Sequence, residues 1–533
     1  VSTITAPHHR AGPREWLGLA VLALPTLLLS IDVSVLHLAV PHVSASLDPS
    51  SSQMLWIIDI YGFTIAGFLV TMGTLGDRIG RRKLLVIGAA VFGLASVAAA
   101  YATSPATLIA ARAALGVAGA TLMPSTLALI SNMFRDAKQR GVAIAVWVTM
   151  FSLGIAIGPV VGGALLEYFW WGSVFLLGVP VMLVLLVAAP LLLPEYRDPE
   201  AGRVDLTSVA LSLAAILPVV YGIKELAAGN GVPVPVAAIV VGAALGWVFV
   251  RRQRTLESPL LDLRLFRNRT FATSLVALFL SMFVAGGTYL FVTQYLQLVA
   301  GRSPMSAGLW LLPAAFALIV TSMLAPVATT WLRPSYVVGV GLLVSAAGHL
   351  TLSLADSTSG VTQVVTGFLL VYAGGGPLIA LGTDLVVGSA PPEQAGSASS
   401  LSETSTELGM ALGVAVLGSL GTAVYRAELT VPGGVPARAA DASEDTLAGA
   451  VEHARGLSGD LGPALLAEAR DAFTSGLNAI AIVGAVLALG TAVLVAAVIR
   501  TPASGGGEAP EPGGDAPSGV PAQAKAQDGS LTS

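Results

Sequence analysis

The chain has no cysteine among its 533 residues. Disulfides, thiol catalysis and cysteine-held metals are therefore excluded. Charge is scarce as well. Only 11% of residues are Asp, Glu, Lys or Arg, where a soluble globular chain carries about a quarter. The histidines, His8, His9, His37, His42, His349 and His453, fall in no H-x-x-E-H or H-E-x-x-H spacing, so no metal site is expected. No phosphate loop and no nucleophile–base pair stands out, which argues against an enzyme. No basic patch marks a nucleic-acid partner. What the chain has instead is apolar surface: 55% hydrophobic residues and a mean hydropathy of +0.80. A water-facing fold is not built from that composition, and an all-α polytopic membrane protein is expected. The net charge of -4 says little, because placement matters more than the sum. Arg far outnumbers Lys, and Ala, Gly and Val abound, as in a GC-rich bacterial genome.

A helix needs about 20 apolar residues to cross a bilayer core. Fourteen such stretches follow one another. They are Trp16–Leu38, Met54–Thr74, Leu84–Tyr101, Ala106–Ile130, Val142–Leu166, Val174–Leu193, Leu206–Ala227, Pro233–Val250, Phe271–Val299, Ala307–Thr330, Tyr336–Ala355, Val361–Ser389, Ser397–Tyr425 and Phe473–Ile499. The polar segment 1–15 precedes them. The first stretch has spanning length and no small-residue cleavage site, so it reads as a retained helix. Basic residues gather in alternate loops. One side receives Arg78, Arg81, Arg82 and Lys83, then Arg135, Lys138 and Arg140, then Arg251, Arg252, Arg254, Arg264, Arg267 and Arg269. The other receives only Arg302, Arg426, Arg438, Arg455 and Arg470. The positive-inside bias places the first side, with both termini, in the cytoplasm. Two segments are too polar to span. Residues 426–471 suggest a short helical hairpin on the outer face. Residues 501–533, rich in Gly, Pro, Ala and Ser, read as a disordered tail.

Several positions carry more than topology. After the second stretch stand Gly73, Gly76, Asp77, Arg78, Gly80, Arg81 and Arg82. The glycines permit close helix approach, and the charges can bond helix ends or carboxylates, which suits a gate latch. The alternative is a solvated basic loop that only sets topology. The fifth stretch holds Gly154, Gly158, Pro159, Gly162 and Gly163, a flat ridge with a weakened hydrogen-bond ladder; an ordinary packing face would look similar. Charged residues inside spans are costly and mark function by default. Asp32 in the first stretch and Arg112 in the fourth are of this kind, though Arg112 has room to snorkel. His37 joins either a polar cavity or the packing, with packing preferred. Trp56, Asp59 and Tyr61 open the second stretch. A carboxylate beside aromatic rings suits an organic cation; the alternative is that the rings are interfacial anchors. Glu403 and Glu407, four apart, share one helical face. Burial and mutual repulsion favour protonated carboxyls there and suit proton uptake. Asp384 is a weaker candidate. Lys224 and Glu225 read as an outer-end ion pair.

Taken in order, these motifs resemble the major facilitator superfamily. The 73–83 loop is similar to its signature loop, and the 154–163 ridge to the motif found in its exporters. The Arg112 segment is similar to a third motif, with Leu115 where the family has glutamine. Asp32 fits the family's first-helix pattern, with Ser34 and His37 replacing a threonine and an asparagine. The helix count resembles the fourteen-helix drug:proton antiporters. Asp59 and the paired Glu403 and Glu407 resemble the branch of QacA- and SmvA-like exporters of quaternary ammonium compounds and dyes. The resemblance implies two six-helix bundles related by a pseudo-two-fold axis, 16–193 and 271–500, with two inserted helices at 206–250. It leaves 251–270 as a basic cytoplasmic loop and 426–471 as an extracellular hairpin. It also implies proton-coupled export of amphipathic organic cations from a bacterial plasma membrane, by a monomer. Asp32, Arg112, Glu403 and Glu407 would handle protons, and Trp56, Asp59, Tyr61 and Glu407 the substrate. The partners are then small organic cations, protons and the lipid bilayer, with no cofactor beyond the proton gradient. A narrow natural-product exporter, or a non-transporting receptor or scaffold, is the alternative.

Overall fold

Small polar side chains set the helix starts. Ser50, Ser104, Asp136, Asn268, Ser303 and Thr446 each accept a backbone N–H from the first turn of the helix they precede, which satisfies donors that would otherwise be orphaned. Beyond the caps the segments are apolar on nearly every side, so they bury one side in protein and turn the rest to lipid. The computed structural model describes residues 11–134, 136–197, 205–227, 231–256, 259, 263–357, 360–389 and 395–499. The expected tail 501–533 and Arg135 lie outside them.

The helices are α1 (Pro13–Leu47), α2 (Ser51–Ile79), α3 (Arg81–Ala100), α4 (Pro105–Met133), α5 (Ala137–Tyr168), α6 (Ser173–Leu176), α7 (Gly178–Leu192), α8 (Leu206–Ala227), α9 (Pro233–Gln253), α10 (Arg269–Gln294), α11 (Pro304–Ala328), α12 (Pro334–Leu352), α13 (Val361–Gly388), α14 (Ala395–Glu428), α15 (Ala437–Asp445), α16 (Leu447–Ala454) and α17 (Leu461–Val498). Among the described residues fourteen spans are long and apolar enough to cross a membrane; α6 and α7 together make one of them. Proline lies inside many spans, as at Pro25, Pro41, Pro124, Pro159 and Pro377. Neighbouring helices allow that in a bilayer.

The packing repeats. In the first bundle α1 lies on α5, α2 and α3 lie on α4, and α3 lies on α7. In the second, α10 lies on α14, α11 and α12 lie on α13, and α12 lies on α17. The same first–fifth, second–fourth, third–fourth and third–sixth partners recur, so the all-α fold is two pseudo-symmetric six-helix bundles. They meet along two seams, α2 against α14 and α5 against α11. The inserted helices α8 and α9 pair with each other, and α8 also touches both α2 and α14. Large apolar side chains on α9 and α17, such as Val240, Trp247, Val486 and Val493, stay exposed; lipid is their solvent.

At one end, α15 and α16 form a hairpin against the start of α17. The Tyr425 hydroxyl donates to Ser443 O at 2.6 Å, and Arg426 pairs with Asp445. The other end carries the 76–83 loop and is the basic end. Hydrogen bonds join the bundles in the hairpin half. Tyr289 donates to Ser34 O (3.2 Å), Gln297 to Leu38 O (3.1 Å) and Ser303 to Glu167 (2.9 Å). These bonds tie the two bundles together at the hairpin end.

Candidate transport site

Asp32 on α1 and Arg112 on α4 meet inside the first bundle. Arg112 Nη1 lies 2.8 Å from Asp32 Oδ2, and Nε donates to Ile57 O at 3.3 Å. Arg112 is 1% exposed, and its guanidinium sits 4.5 Å over the Tyr61 ring. It does not snorkel. A guanidinium keeps its charge, so apolar surroundings hold it only with such partners. Tyr61 is buried against this pair, and is therefore no interfacial anchor.

Asp59 makes a second pair, and it corrects the reading of Lys224. Among the described residues Lys224 on α8 makes no hydrogen bond or salt bridge to its neighbour Glu225. Its ammonium crosses to α2, donates to Asp59 Oδ1 at 3.0 Å and lies 2.9 Å from Oδ2. Neither side chain has exposed area. Trp56 covers the ammonium, with Nζ 3.9 Å from the ring centroid. Glu225 instead accepts from Ser52 Oγ at 2.8 Å. Trp56 and Asp59 thus belong to one ion pair and Tyr61 to the other.

Glu403 and Glu407 stand two to three turns into α14, half-buried along the α2 seam. Among the described residues neither carboxyl has an ion-pair or hydrogen-bond partner. They lie one turn apart on one face, and Gly62, next to Tyr61 on α2, packs against the backbone of Glu407 and against Ala411. The four acids therefore differ in kind: two are held by internal cations and two are available. Asp384 is exposed toward the basic end of α13.

The aromatic wall of the second bundle was not read from the sequence. Tyr289 stacks edge-on with His37 (4.8 Å) and tilts against Phe368 (6.0 Å), which meets Tyr372 at 4.3 Å. The spacing of Phe368 and Tyr372, four apart on α13, is the signal that could have placed them on one face. His37 packs in this wall.

The loop residues act within the first bundle. Asp77 bonds Arg81 at 2.7 Å across the α2–α3 break. Arg82 donates to Leu193 O (3.0 Å) and pairs with Glu195 at 3.5 Å. Arg78 is exposed. Gly73 faces Pro124, and a Cβ on Gly76 would press on Arg81. Gly80 makes the break at φ +112, and a Cβ there would fall 2.5 Å from Glu195 Oε1. Gly80→Ala is expected to cost about 1–3 kcal/mol of backbone strain and to push Glu195 off Arg82. Transport assays should show a several-fold loss. Adding Glu195→Ala removes the clash but not the strain, so the double variant should recover only part; full recovery would refute the strain.

The glycine ridge faces α1. Cβ atoms on Gly154, Gly158 and Gly162 would meet Ser30, Ser34 and Val35 within 2.7 Å. Gly163 abuts Pro304 of α11, and Gly308 of α11 abuts Pro159 O. The ridge thus seats the helix that carries Asp32, and its far end forms part of a seam between bundles.

The Major Facilitator Superfamily pattern matches residues 22–414. The multidrug efflux pump LfrA of Mycolicibacterium smegmatis is 42% identical, over 92% of this chain and 97% of that protein. The methyl viologen resistance protein SmvA of Salmonella typhimurium is 35% identical, over 86% and 93%. Among solved structures, a bacterial homologue of the human lysosomal transporter Spinster, in an inward-facing and unoccupied conformation, superposes with a TM-score of 0.63. It shares 18% identity and covers 92% of this chain and 100% of its own.

Proposed function

The chain belongs to the Major Facilitator Superfamily, a multi-pass membrane transporter and not an enzyme, and we propose that it exports amphipathic organic cations in exchange for protons. It works by alternating access in a bacterial plasma membrane, with the basic end and both termini in the cytoplasm. The observation that carries this reading is the pair Glu403 and Glu407: two carboxyls on one helical face, at the seam between bundles, with no fixed partner among the described residues. Deprotonated, they attract a cation entering from the basic end, while the hairpin end is held together by the cross-bundle hydrogen bonds. Once the bundles rock and the site faces outward, protonation neutralises them and the cation leaves.

Charge arithmetic supports two available acids. Moving one charge across the membrane is worth about 2.3 kcal/mol per 100 mV. One proton exchanged for one monocation moves no net charge. Expelling a dication against the potential takes at least two protons, hence at least two titrating carboxyls.

Ethidium efflux from energised cells, with and without a protonophore, tests the reading. Efflux should collapse with the protonophore. The Glu403→Gln/Glu407→Gln double variant should lose about tenfold or more in rate, the equivalent of roughly 1.4 kcal/mol in barrier. Undiminished efflux in protonophore-treated cells would sink proton coupling, and wild-type rates in the double variant would sink these two carriers.

A further inference from the structure

The chemistry that suits an organic cation, a carboxylate beside an aromatic face, is already complete at Asp59 and Trp56, and it is filled by the protein's own cation. Lys224 Nζ lies 3.0 Å from Asp59 Oδ1 and 3.9 Å from the Trp56 ring centroid. This pair is not built like a permanent structural bridge. A buried pair that only stabilises needs its remaining polar atoms satisfied. Here both carboxylate oxygens lie within 3.0 Å of Nζ, and among the described residues neither has a further hydrogen-bond partner. Among the described residues the ammonium, with three donors, has Asp59 as its one hydrogen-bond acceptor.

The setting permits exchange. Lys224 comes from α8, one of the two inserted helices, outside both six-helix bundles. Apolar packing of Phe63, Val220, Ala411 and Ala415 joins α2, α8 and α14 beside it, at the seam that carries Glu403 and Glu407. An ammonium on a flexible four-carbon stem can leave without moving a helix.

We propose that Lys224 is a tethered competitor for the cation site on Asp59 and Trp56, which a transported cation must displace. The proposal rests on the exporter reading above and adds the residue that sets its cation selectivity. With the site empty of substrate, Lys224 covers the carboxylate, so Asp59 needs no proton on the return step and proton exchange falls to Glu403 and Glu407. Weakly held cations fail to displace the tethered ammonium and are rejected.

The test uses the full-length protein in lipid nanodiscs, with tetraphenylphosphonium as probe. Lys224→Met keeps the length of the side chain and removes the charge. Removing an internal competitor raises apparent affinity by the reciprocal of the fraction of time the site was free, about tenfold or more if Lys224 fills it nine-tenths of the time. On the unaltered protein, labelling of Lys224 by an amine-reactive reagent, read by mass spectrometry, should rise when the probe saturates. Lys83, Lys138 and Lys525 serve as internal controls. Tighter binding in Lys224→Met supports the proposal, as does binding in that variant alone, which would remove the wild-type protein from the exporters of this cation. Equal or weaker binding in Lys224→Met, with the wild type still binding, overturns the proposal and leaves the exporter reading standing. Binding in neither overturns both. If Lys224→Met does not fold, the labelling decides: Lys224 equally protected with and without bound probe overturns the proposal.

Discussion

Asn in place of Asp32 should strip the Arg112 guanidinium of its counter-charge and cost the protein both stability and transport. Breaking a buried ion pair from one side costs about 3–5 kcal/mol, because the surviving charge stays in the apolar interior. Arginine cannot escape by giving up its proton. The Ile57 carbonyl at 3.3 Å and the Tyr61 ring at 4.5 Å remain, and Asn can still accept a hydrogen bond, so the lower end of that range is expected. The purified variant should melt well below the wild type. Arg112→Gln added to Asp32→Asn removes the stranded charge and should restore most of the melting temperature. Transport should stay lost in both variants, because the pair joins α1 to α4 next to Tyr61, whose neighbour Gly62 packs against α14 at Glu407 and Ala411. A single variant that melts with the wild type would show that the pair carries little of the bundle's stability.

The fold was legible because a bilayer leaves few choices. Runs of apolar residues must be helices, and loop charges order them. The individual acids were legible for the same reason, since Asp32, Asp59, Glu403 and Glu407 have no business in apolar spans without a task. Their partners were less accessible. Asp59 and Lys224 are 165 residues apart, and no local pattern links them. Reading Lys224 with Glu225 overlooked helix geometry, since adjacent residues on a helix point in different directions. The same geometry divides Trp56, Asp59 and Tyr61. Trp56, Asp59 and Phe63 recur at helical spacing and face α8 and α14. Ile57, Tyr61 and Thr64 form the next stripe and face α4, where Arg112 bonds Ile57 O and Gly116 abuts Thr64. A helical wheel separates the stripes; only the fold says which helix each one meets.

Gly158→Leu should abolish export while leaving the protein in the membrane. The position is set by contact rather than by backbone conformation. A Cβ on Gly158 would lie 1.9 Å from Ser34 Oγ and 3.4 Å from Ile31 Cα, so any side chain forces α5 away from α1. Overpacking of this kind costs about 1–3 kcal/mol, which a large bundle can survive. The transport machinery is less tolerant. Asp32 lies between Ile31 and Ser34 on the displaced helix, and the same α5 meets α11 through Gly163 and Pro159. Leucine would therefore disturb the Asp32–Arg112 pair and the α5–α11 seam together. Gly158→Ala should be intermediate, and Ser34→Ala should rescue it by deleting the oxygen at 1.9 Å, leaving a Cβ contact of 3.2 Å that small shifts relieve. The same Ser34→Ala should not rescue leucine, whose extra atoms have no space to enter. Export and membrane abundance, measured together for the four variants, separate a jammed seam from a protein that fails to assemble. If Gly158→Leu exports at the wild-type rate, close contact between α1 and α5 is not required for the transport cycle.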